Sequence, residues 1–202
     1  MFYQALSVAK RVDIELRQLI NHEWIHPWLD WLMPRISDWG LWFVPILLVA
    51  LAFLIWGGRR ERLLIGLIAL SVCIGDMGVV RGVRWMVQRP RPYEALENVR
   101  YVTREGVEIR SGSPNTLRLS RGRSMPSAHV CNNTSSAFWI TYLYPPWGAL
   151  SWILLPLMAY SRVYTGSHYP SDTLVSIPLA LAYNFIILFL IKSVSPKFPK
   201  KA

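Results

Sequence analysis

Residues 41–56 read LWFVPILLVALAFLIW, an apolar run without a charged side chain. A bilayer core of about 30 Å needs about 20 apolar residues in a helix. Trp39 and Trp42 lie at one end of the run and Trp56 at the other, a spacing that is typical of aromatic residues at the two membrane interfaces. This stretch therefore predicts a transmembrane helix and places the chain among integral membrane proteins.

Four further apolar segments follow on the C-terminal side: Leu63–Val80, His129–Tyr144, Gly148–Tyr164 and Thr173–Ile191. The first half of His129–Tyr144 is polar, and such a span is expected to face other helices or a cavity rather than lipid. The predicted fold class is all-α: an integral membrane helical bundle of about five transmembrane helices, plus an N-terminal amphipathic interfacial helix.

The composition agrees with this class. Of the 202 residues, 52% are hydrophobic and 17% are charged, whereas a soluble domain carries about 25% charged residues. These values exclude disordered, collagenous and coiled-coil chains. Cys73 and Cys131 lie in apolar runs and are predicted to be reduced packing residues. The net charge of +10 arises from basic residues between the spans, which favours a phosphate-bearing lipid over nucleic acid as the partner.

Three segments are predicted along the chain. Residues 1–40 are an amphipathic N-terminal segment in which Phe2–Ile20 interleaves apolar and charged side chains. This pattern predicts a helix lying at the membrane interface, and a helix that covers the side of the bundle is the alternative. Residues 41–192 form the transmembrane domain, with a non-cytoplasmic insertion at 81–128, and residues 193–202 form a basic cytoplasmic tail.

The orientation is predicted from the short basic loops. Gly57–Arg62 and the tail after Ile191 are rich in Arg and Lys, so both are expected to be cytoplasmic. The segment 81–128 then lies on the opposite side, although it contains ten arginines. Either the topology is reversed or these arginines bind an anion, and the second interpretation is preferred.

Three polar clusters lie at the non-cytoplasmic ends of the predicted spans. They read RWMVQRPRP at 84–92, SMPSAH at 124–129 and SRVYTGSHYPSD at 161–172. Arg84, Arg91 and Arg162 supply permanently charged guanidinium groups, which suit bidentate contacts to phosphate. A single arginine near a membrane end could equally anchor headgroups, but the joint pattern predicts one anion site.

The second cluster predicts a helix that begins at Pro126, because proline is favoured at the first helical position. Met125 would then be a poor N-cap, and the first-turn amides would be left for a ligand such as phosphate. Ser127 would add a hydroxyl donor to the same site.

The third cluster combines a histidine with a carboxylate. Pro170 suits the start of a helix, so Asp172 lies in the first turn, where it can accept a hydrogen bond from one imidazole nitrogen of His168. The other nitrogen of His168 is then able to attack, and His129 can protonate the leaving group. This set of residues requires no metal ion.

Three other polar side chains have less specific surroundings. Asp76 is a carboxylate inside a predicted span, which makes it a functional hypothesis; pairing with an Arg or Ser of a neighbouring helix is the preferred interpretation. His22 and His26 are interpreted as structural residues.

The three clusters resemble the signature of the type 2 phosphatidic acid phosphatase superfamily: KxxxxxxRP, PSGH and SRxxxxxHxxxD. The third motif is matched in full at 161–172, the first at 84–92 with Arg in place of Lys, and the second at 126–129 with Ala in place of Gly. The resemblance extends from about residue 40 to residue 192.

By this resemblance, His168 is the nucleophile that forms a phosphohistidine, Asp172 orients it, and His129 is the general acid to the leaving alcohol. The resemblance also implies which groups hold the phosphoryl oxygens: Arg84, Arg91, Ser127, the Ala128 amide and Arg162. It implies neither a metal ion nor another cofactor.

The compact length and the Asn132-Asn133 pair after SMPSAH look most like bacterial lipid A 1-phosphatases. The expected activity is therefore metal-independent hydrolysis of lipid A 1-phosphate within the bacterial inner membrane, at a site facing the periplasm or the cell exterior. Undecaprenyl pyrophosphate and phosphatidylglycerol phosphate are alternative substrates. A lipid transporter or a phosphate-binding pseudoenzyme is the non-catalytic alternative.

Overall fold

The computed structural model describes residues 2–112, 123–195 and 198. Residues 113–122 of the predicted insertion and most of the predicted basic tail lie outside the described residues. The helices are α1 (Phe2–Gln18), α2 (Pro27–Ile36), α3 (Trp39–Ile55), α4 (Arg59–Ile74), α5 (Arg81–Val87), α6 (Pro92–Ala95), α7 (Ala128–Leu143), α8 (Pro145–Tyr164) and α9 (Pro170–Val194). Two π-helical segments, Leu19–Glu23 and Gly75–Val80, follow α1 and α4.

A helix is present at each of the five apolar segments, but fewer than five helices satisfy a length and hydropathy test for spanning. Arg59–Val87, which joins α4 and α5 through the π-helical segment, and Pro170–Val194 satisfy it. The pair α2 and α3, bent by 50°, satisfies it together. Within the described residues there are thus two candidate spans, or three with the bent pair, and the count of five stays a prediction.

Helix α7 lies at the centre of the bundle and packs against α4, α8 and α9. Its Trp139 side chain is fully buried, and the indole Nε1 donates to the Ser71 hydroxyl at 2.6 Å. The polar residues of α7 face neighbouring helices, as the sequence predicts. For example, Ser135 and Tyr183 share a hydrogen bond at 2.6 Å, and Asn184 donates to Ser135 at 2.8 Å.

Asp76 pairs with a different residue type from the one expected. The Asn132 side-chain amide donates to Asp76 Oδ2 at 3.1 Å, so the neighbouring-helix partner is an asparagine rather than an Arg or Ser. An amide supplies the hydrogen-bond donor that a carboxylate needs inside the bundle.

The all-α expectation needs one correction, because the insertion contains an antiparallel hairpin. Strand β1 (Val99–Val102) pairs with β2 (Val107–Arg110) in a register that places Val99 opposite Arg110. The Thr103 amide donates to the Gly106 carbonyl at 2.8 Å, and Gly106 has φ of 147°. Valine-rich strands on both sides of a turn that requires glycine favour a hairpin over a helix.

The N-terminal segment contacts the bundle through buried polar side chains. Asn21 is fully buried; its amide nitrogen donates to the carbonyl oxygens of Arg100 and Tyr164 at 2.8 and 2.6 Å, and its Oδ1 accepts from the Arg100 amide at 3.1 Å. The same segment exposes Trp24 and Trp28. Its position at a membrane interface stays a prediction, to which these exposed indoles are suited.

Candidate functional site

Direct contacts join the three polar clusters at one end of the bundle. The Arg84 guanidinium donates through Nε and Nη2 to the Pro126 carbonyl at 3.2 and 3.0 Å. The Ser124 amide donates to the Arg89 carbonyl at 3.0 Å, and the Ser124 hydroxyl donates to the Asp172 carboxylate. The first cluster is thus tied to the second, and the second to the third.

Helix α7 begins two residues later than predicted. Its first residue is Ala128 and its N-cap is Ser127, whose extended backbone has φ of −79° and ψ of 111°. Pro126 lies before the helix, where its carbonyl accepts from Arg84, and the first helical bond runs from the Cys131 amide to the Ser127 carbonyl at 3.0 Å.

The Ser127 hydroxyl is available at the start of α7. It makes no capping bond, and it is buried without a hydrogen-bond partner in the described part of the chain. The Ser127 amide is occupied, because it donates to the Ser176 hydroxyl at 2.8 Å. A buried hydroxyl without a partner costs stability, and an anion at the helix start would satisfy it together with the first amides of α7.

The loop between α8 and α9 holds His168. Its Gly166 has φ of 72°, and a Cβ there would lie 2.5 Å from the Arg100 carbonyl oxygen. Position 166 therefore requires glycine, both for its positive φ and for its close approach to the Arg100 backbone. The His168 amide donates to the Arg162 carbonyl at 3.1 Å, and the imidazole is only 1% exposed.

Helix α9 begins at Pro170 and carries Asp172 in its first turn, as predicted. The expected hydrogen bond between Asp172 and His168 is not formed, because Asp172 Oδ2 lies 3.7 Å from His168 Nδ1, beyond hydrogen-bond range. Other donors occupy the carboxylate: the Tyr169 amide at 2.9 Å, the Ser124 hydroxyl and Arg89 Nη1 at 2.8 Å.

His168 is held in its neutral form. Burial, with a smaller effect from the charges of Arg162 and Arg91, lowers the pKa of its imidazole to about 4, although the Asp172 carboxylate opposes the shift. A neutral imidazole keeps the lone pair that a nucleophile needs. His168 Nδ1, which faces Asp172, is buried and has no hydrogen-bond partner among the described residues.

His129 lies in the same region as His168. It is the second residue of α7, and it is close enough to Arg162, His168 and Arg91 for their charges to act on it. Arg162 is 9% exposed, and its Nε is buried without a partner in the described ranges. Arg84 acts electrostatically on both Arg91 and Arg162. The histidines and guanidiniums that the sequence singled out therefore occupy one site.

A cavity of about 190 Å³ lies at this site. Of the candidate residues, Arg91 and Arg162 line it, together with Ser167, the neighbour of His168. Asp38 and Arg104, which form a salt bridge, also line it. Over the residues that the structure describes, neither Arg91 nor Arg162 forms a salt bridge, so both guanidiniums can pair with an anion.

The family model of the PAP2 superfamily matches residues 60–195. The chain belongs to the PAP2 superfamily. Its fold is similar to that in the crystal structure of Aquifex aeolicus LpxE, with a TM-score of 0.66 and 22% sequence identity over 88% of this chain and 94% of that chain. A comparison with curated proteins gives no match. Membership of the PAP2 superfamily supports a phosphatase activity, and the likeness to LpxE concerns the fold.

Two residues of this PAP2 site were missed by the sequence analysis. Arg89 and Ser124 both donate to the Asp172 carboxylate. Both lie inside quoted clusters, so the signal was present in RWMVQRPRP and SMPSAH. Their partner could not be assigned because the contacts cross 83 and 48 residues of sequence.

The positive charge of this PAP2 site comes from guanidinium groups. No three His, Cys, Asp or Glu side chains converge into a metal-binding group within the described part of the chain. The two cysteines are free, Cys131 buried and Cys73 exposed. Arg84, Arg91 and Arg162 are the guanidinium groups that the sequence analysis assigned to this site.

Proposed function

We propose that this PAP2 superfamily member is a membrane lipid phosphatase that acts through a phosphohistidine intermediate, with lipid A 1-phosphate as its substrate. The observation that carries the proposal is the proximity of His129 and His168 to Arg91 and Arg162, the two guanidinium groups that line the cavity. Buried donors without partners among the described residues, at Ser127 and Arg162, support an anion as the ligand of this site.

In the first step, His168 Nε2 attacks the phosphorus atom of the bound lipid phosphate. An N–P bond forms as the P–O bond to the lipid breaks, and His129 donates a proton to the departing oxygen. In the second step a water attacks the phosphohistidine, His129 accepts a proton from that water, and inorganic phosphate leaves. The negative charge of the bound phosphate stabilises the imidazolium form that His129 needs in the first step.

The phosphoryl oxygens are held by charge and by hydrogen-bond donors. Arg84, Arg91 and Arg162 supply the charge, and the Ser127 hydroxyl and Ala128 amide supply donors at the start of α7. Phosphoryl transfer depends mainly on positioning and on stabilisation of negative charge. A set of three guanidiniums meets both needs without a metal ion.

Asp172 has the role of orienting His168. Catalytic hydrogen bonds are often long before substrate binds and tighten in the reacting complex. The 3.7 Å separation between Asp172 Oδ2 and His168 Nδ1 closes to a hydrogen bond with a small movement of the imidazole. That bond would fix the tautomer in which Nε2 carries the lone pair.

The choice of lipid rests on two supports. SMPSAH followed by Asn132-Asn133 is similar to the corresponding stretch of bacterial lipid A 1-phosphatases, and the fold is similar to that of Aquifex aeolicus LpxE. The proposed location is the bacterial inner membrane with the site facing the periplasm. Undecaprenyl pyrophosphate and phosphatidylglycerol phosphate are the alternative substrates to be measured alongside.

The test is phosphate release by the detergent-solubilised protein from lipid A 1-phosphate and the two alternative lipids. We expect fastest release from lipid A 1-phosphate, unchanged release in EDTA, and none with His168→Ala. His22→Gln, outside the site, is the matched control and should keep full activity. Full activity in His168→Ala would remove His168 as the nucleophile, and strict dependence on a divalent ion would contradict the guanidinium site. Lipid binding without phosphate release by the native chain would favour the non-catalytic alternative.

A further inference from the structure

The N-terminal helix α1 contributes a buried carboxylate to the start of α9. Asp13 is 5% exposed. Its Oδ1 accepts from the Ser171 amide at 2.8 Å, and its Oδ2 accepts from the Ser171 hydroxyl at 2.7 Å and from Arg89 Nη2. All of these contacts are made with the residue before Asp172 or with the arginine that binds Asp172.

Arg89 lies between two carboxylates. Its Nη1 donates to Asp172 Oδ1 at 2.8 Å and to the Ser171 hydroxyl at 2.7 Å, and its Nη2 donates to Asp13. Its guanidinium carbon also lies 3.8 Å from the ring centroid of Tyr169. Burial lowers the pKa of Arg89, but the charges of Asp172 and Asp13 outweigh this effect and raise it above the ordinary value. Asp13, Arg89 and Asp172 thus form a triad of charges in which both carboxylates are buried and the Arg89 side chain is 23% exposed.

The triad controls the charge and position of Asp172. With Asp13 present, Arg89 Nη2 donates to Asp13 and only Nη1 donates to Asp172. The Asp172 carboxylate therefore keeps a lone pair that can accept a hydrogen bond from His168. Without Asp13, the full charge of Arg89 would act on Asp172, and the Ser171 amide would lose its acceptor. Removing one partner of a buried ion pair leaves a charge that is no longer compensated.

We propose that Asp13 is a positioning residue for the reaction, acting through Arg89 and Ser171 on Asp172 and thereby on His168. This inference rests on the proposed function. Asn21 also fastens the N-terminal segment, through the carbonyls of Arg100 and Tyr164, so Asp13 is one of at least two attachments of that segment. The N-terminal segment is therefore part of the catalytic machinery as well as a contact with the bundle.

The test compares Asp13→Asn with Glu15→Gln, a matched loss of one negative charge at an exposed position of the same helix. We expect kcat of Asp13→Asn to fall about 10- to 100-fold, because small misplacements of a reacting group have effects of this size. KM should stay within about two-fold, since the phosphate-holding groups are untouched. Glu15→Gln should match the native chain, and Asp13→Glu, which keeps the carboxylate, should recover most of the lost kcat.

Three results would overturn the inference. One is a native kcat in folded Asp13→Asn, and another is a loss of kcat only in proportion to the unfolded fraction, measured by circular dichroism and size-exclusion chromatography. If Asp13→Asn does not fold, Arg89→Lys is measured in its place, because an ammonium cannot bridge both carboxylates in the same way. The third result that would overturn the inference is an unchanged kcat in Arg89→Lys. Inactivity of the native chain on every lipid would instead refute the proposed function and is read from the same assay.

Discussion

At the scale of single residues, Arg162 is the buried arginine of the anion site. Its guanidinium is 9% exposed, its Nε has no partner in the described ranges, and it lines the cavity with Arg91. A buried guanidinium without a carboxylate partner lowers the stability of the fold. The position of Arg162 therefore indicates that an anionic ligand pairs with it.

Replacing the planar fork of Arg162 with an ammonium tests this interpretation. We expect Arg162→Lys to lower kcat by about 10²–10³-fold, the usual effect of removing one positioned donor to a charged transition state. Arg81→Lys, at an exposed position before the first cluster, is the matched control and should change little. Phosphate release under saturating lipid measures both variants, and a native kcat in Arg162→Lys would exclude the guanidinium from the phosphate site.

The protonation state of His168 is a second test at this scale. Because burial lowers its pKa to about 4, the imidazole should stay neutral as the pH falls from 7 to 5. In the window between the unfolded value near 6.5 and about 4, the unfolded chain binds a proton that the folded chain does not. The contribution of His168 to the free energy of unfolding therefore decreases as the pH is lowered through that window.

The measurement is a ¹³C NMR titration of histidine-labelled protein in detergent. The His168 resonance is assigned by its disappearance in His168→Asn. We expect no change of its chemical shift between pH 7 and pH 5. A midpoint near 6.5 would show that the imidazole is solvated and would remove burial as the cause of its neutral form.

At the scale of elements, the loop between α8 and α9 sets the position of the nucleophile. Its backbone turns at Gly166, whose φ of 72° is in the left-handed region, and the Arg100 carbonyl of strand β1 lies against it. The hairpin and the loop therefore support each other, and the hairpin acts on the site although it carries none of the candidate catalytic residues.

We expect Gly166→Ala to lower the free energy of unfolding by about 1–3 kcal/mol, because the new Cβ meets backbone that cannot move aside. It should also lower kcat, since His168 lies two residues further on. Gly66→Ala is the matched control, because a Cβ at Gly66 has open space and alanine favours a helix interior. Thermal unfolding in detergent compares the two variants, and equal melting temperatures would contradict the role of Gly166.

At the scale of the whole molecule, the apolar surface and the polar site are spatially separated. Helix α3 contains no buried residue and exposes large apolar side chains along its length, as a helix facing lipid does. The three clusters and the hairpin lie together at one end of the bundle. The basic residues at the start of α4 lie at the opposite end of the continuous helix Arg59–Val87. This separation is the arrangement expected for a site at one membrane surface.

Cysteine labelling tests the orientation. Glu105 in the hairpin turn and Arg59 at the first position of α4 are both exposed. Glu105→Cys and Arg59→Cys are introduced separately into a chain in which Cys73 and Cys131 are replaced by Ser. In spheroplasts, a membrane-impermeant maleimide should label Glu105→Cys at once and Arg59→Cys only after permeabilisation. The opposite labelling would establish the reversed topology and place the site in the cytoplasm.

The sequence by itself determined the class of protein, the helices at the five apolar segments and the three clusters of the site. Apolar runs indicate burial in lipid or in a helical bundle. The start of α9 was predictable because proline is favoured at the first position of a helix. His168 and Asp172 are four residues apart, so their proximity was also predictable. The motif residues converge because each cluster lies beside a helix end on the same side of the bundle.

Only the tertiary structure decided which groups contact Asp172. The carboxylate is bound by Arg89 and Ser124 rather than by His168, and Asp13 reaches this network across 158 residues of sequence, through Ser171. The same holds for the hydrogen bond from Arg84 to the Pro126 carbonyl, which lies just before the start of α7. Hydrogen bonds between distant segments leave no periodic pattern in the sequence, because they are selected by the packing that brings their donors and acceptors together.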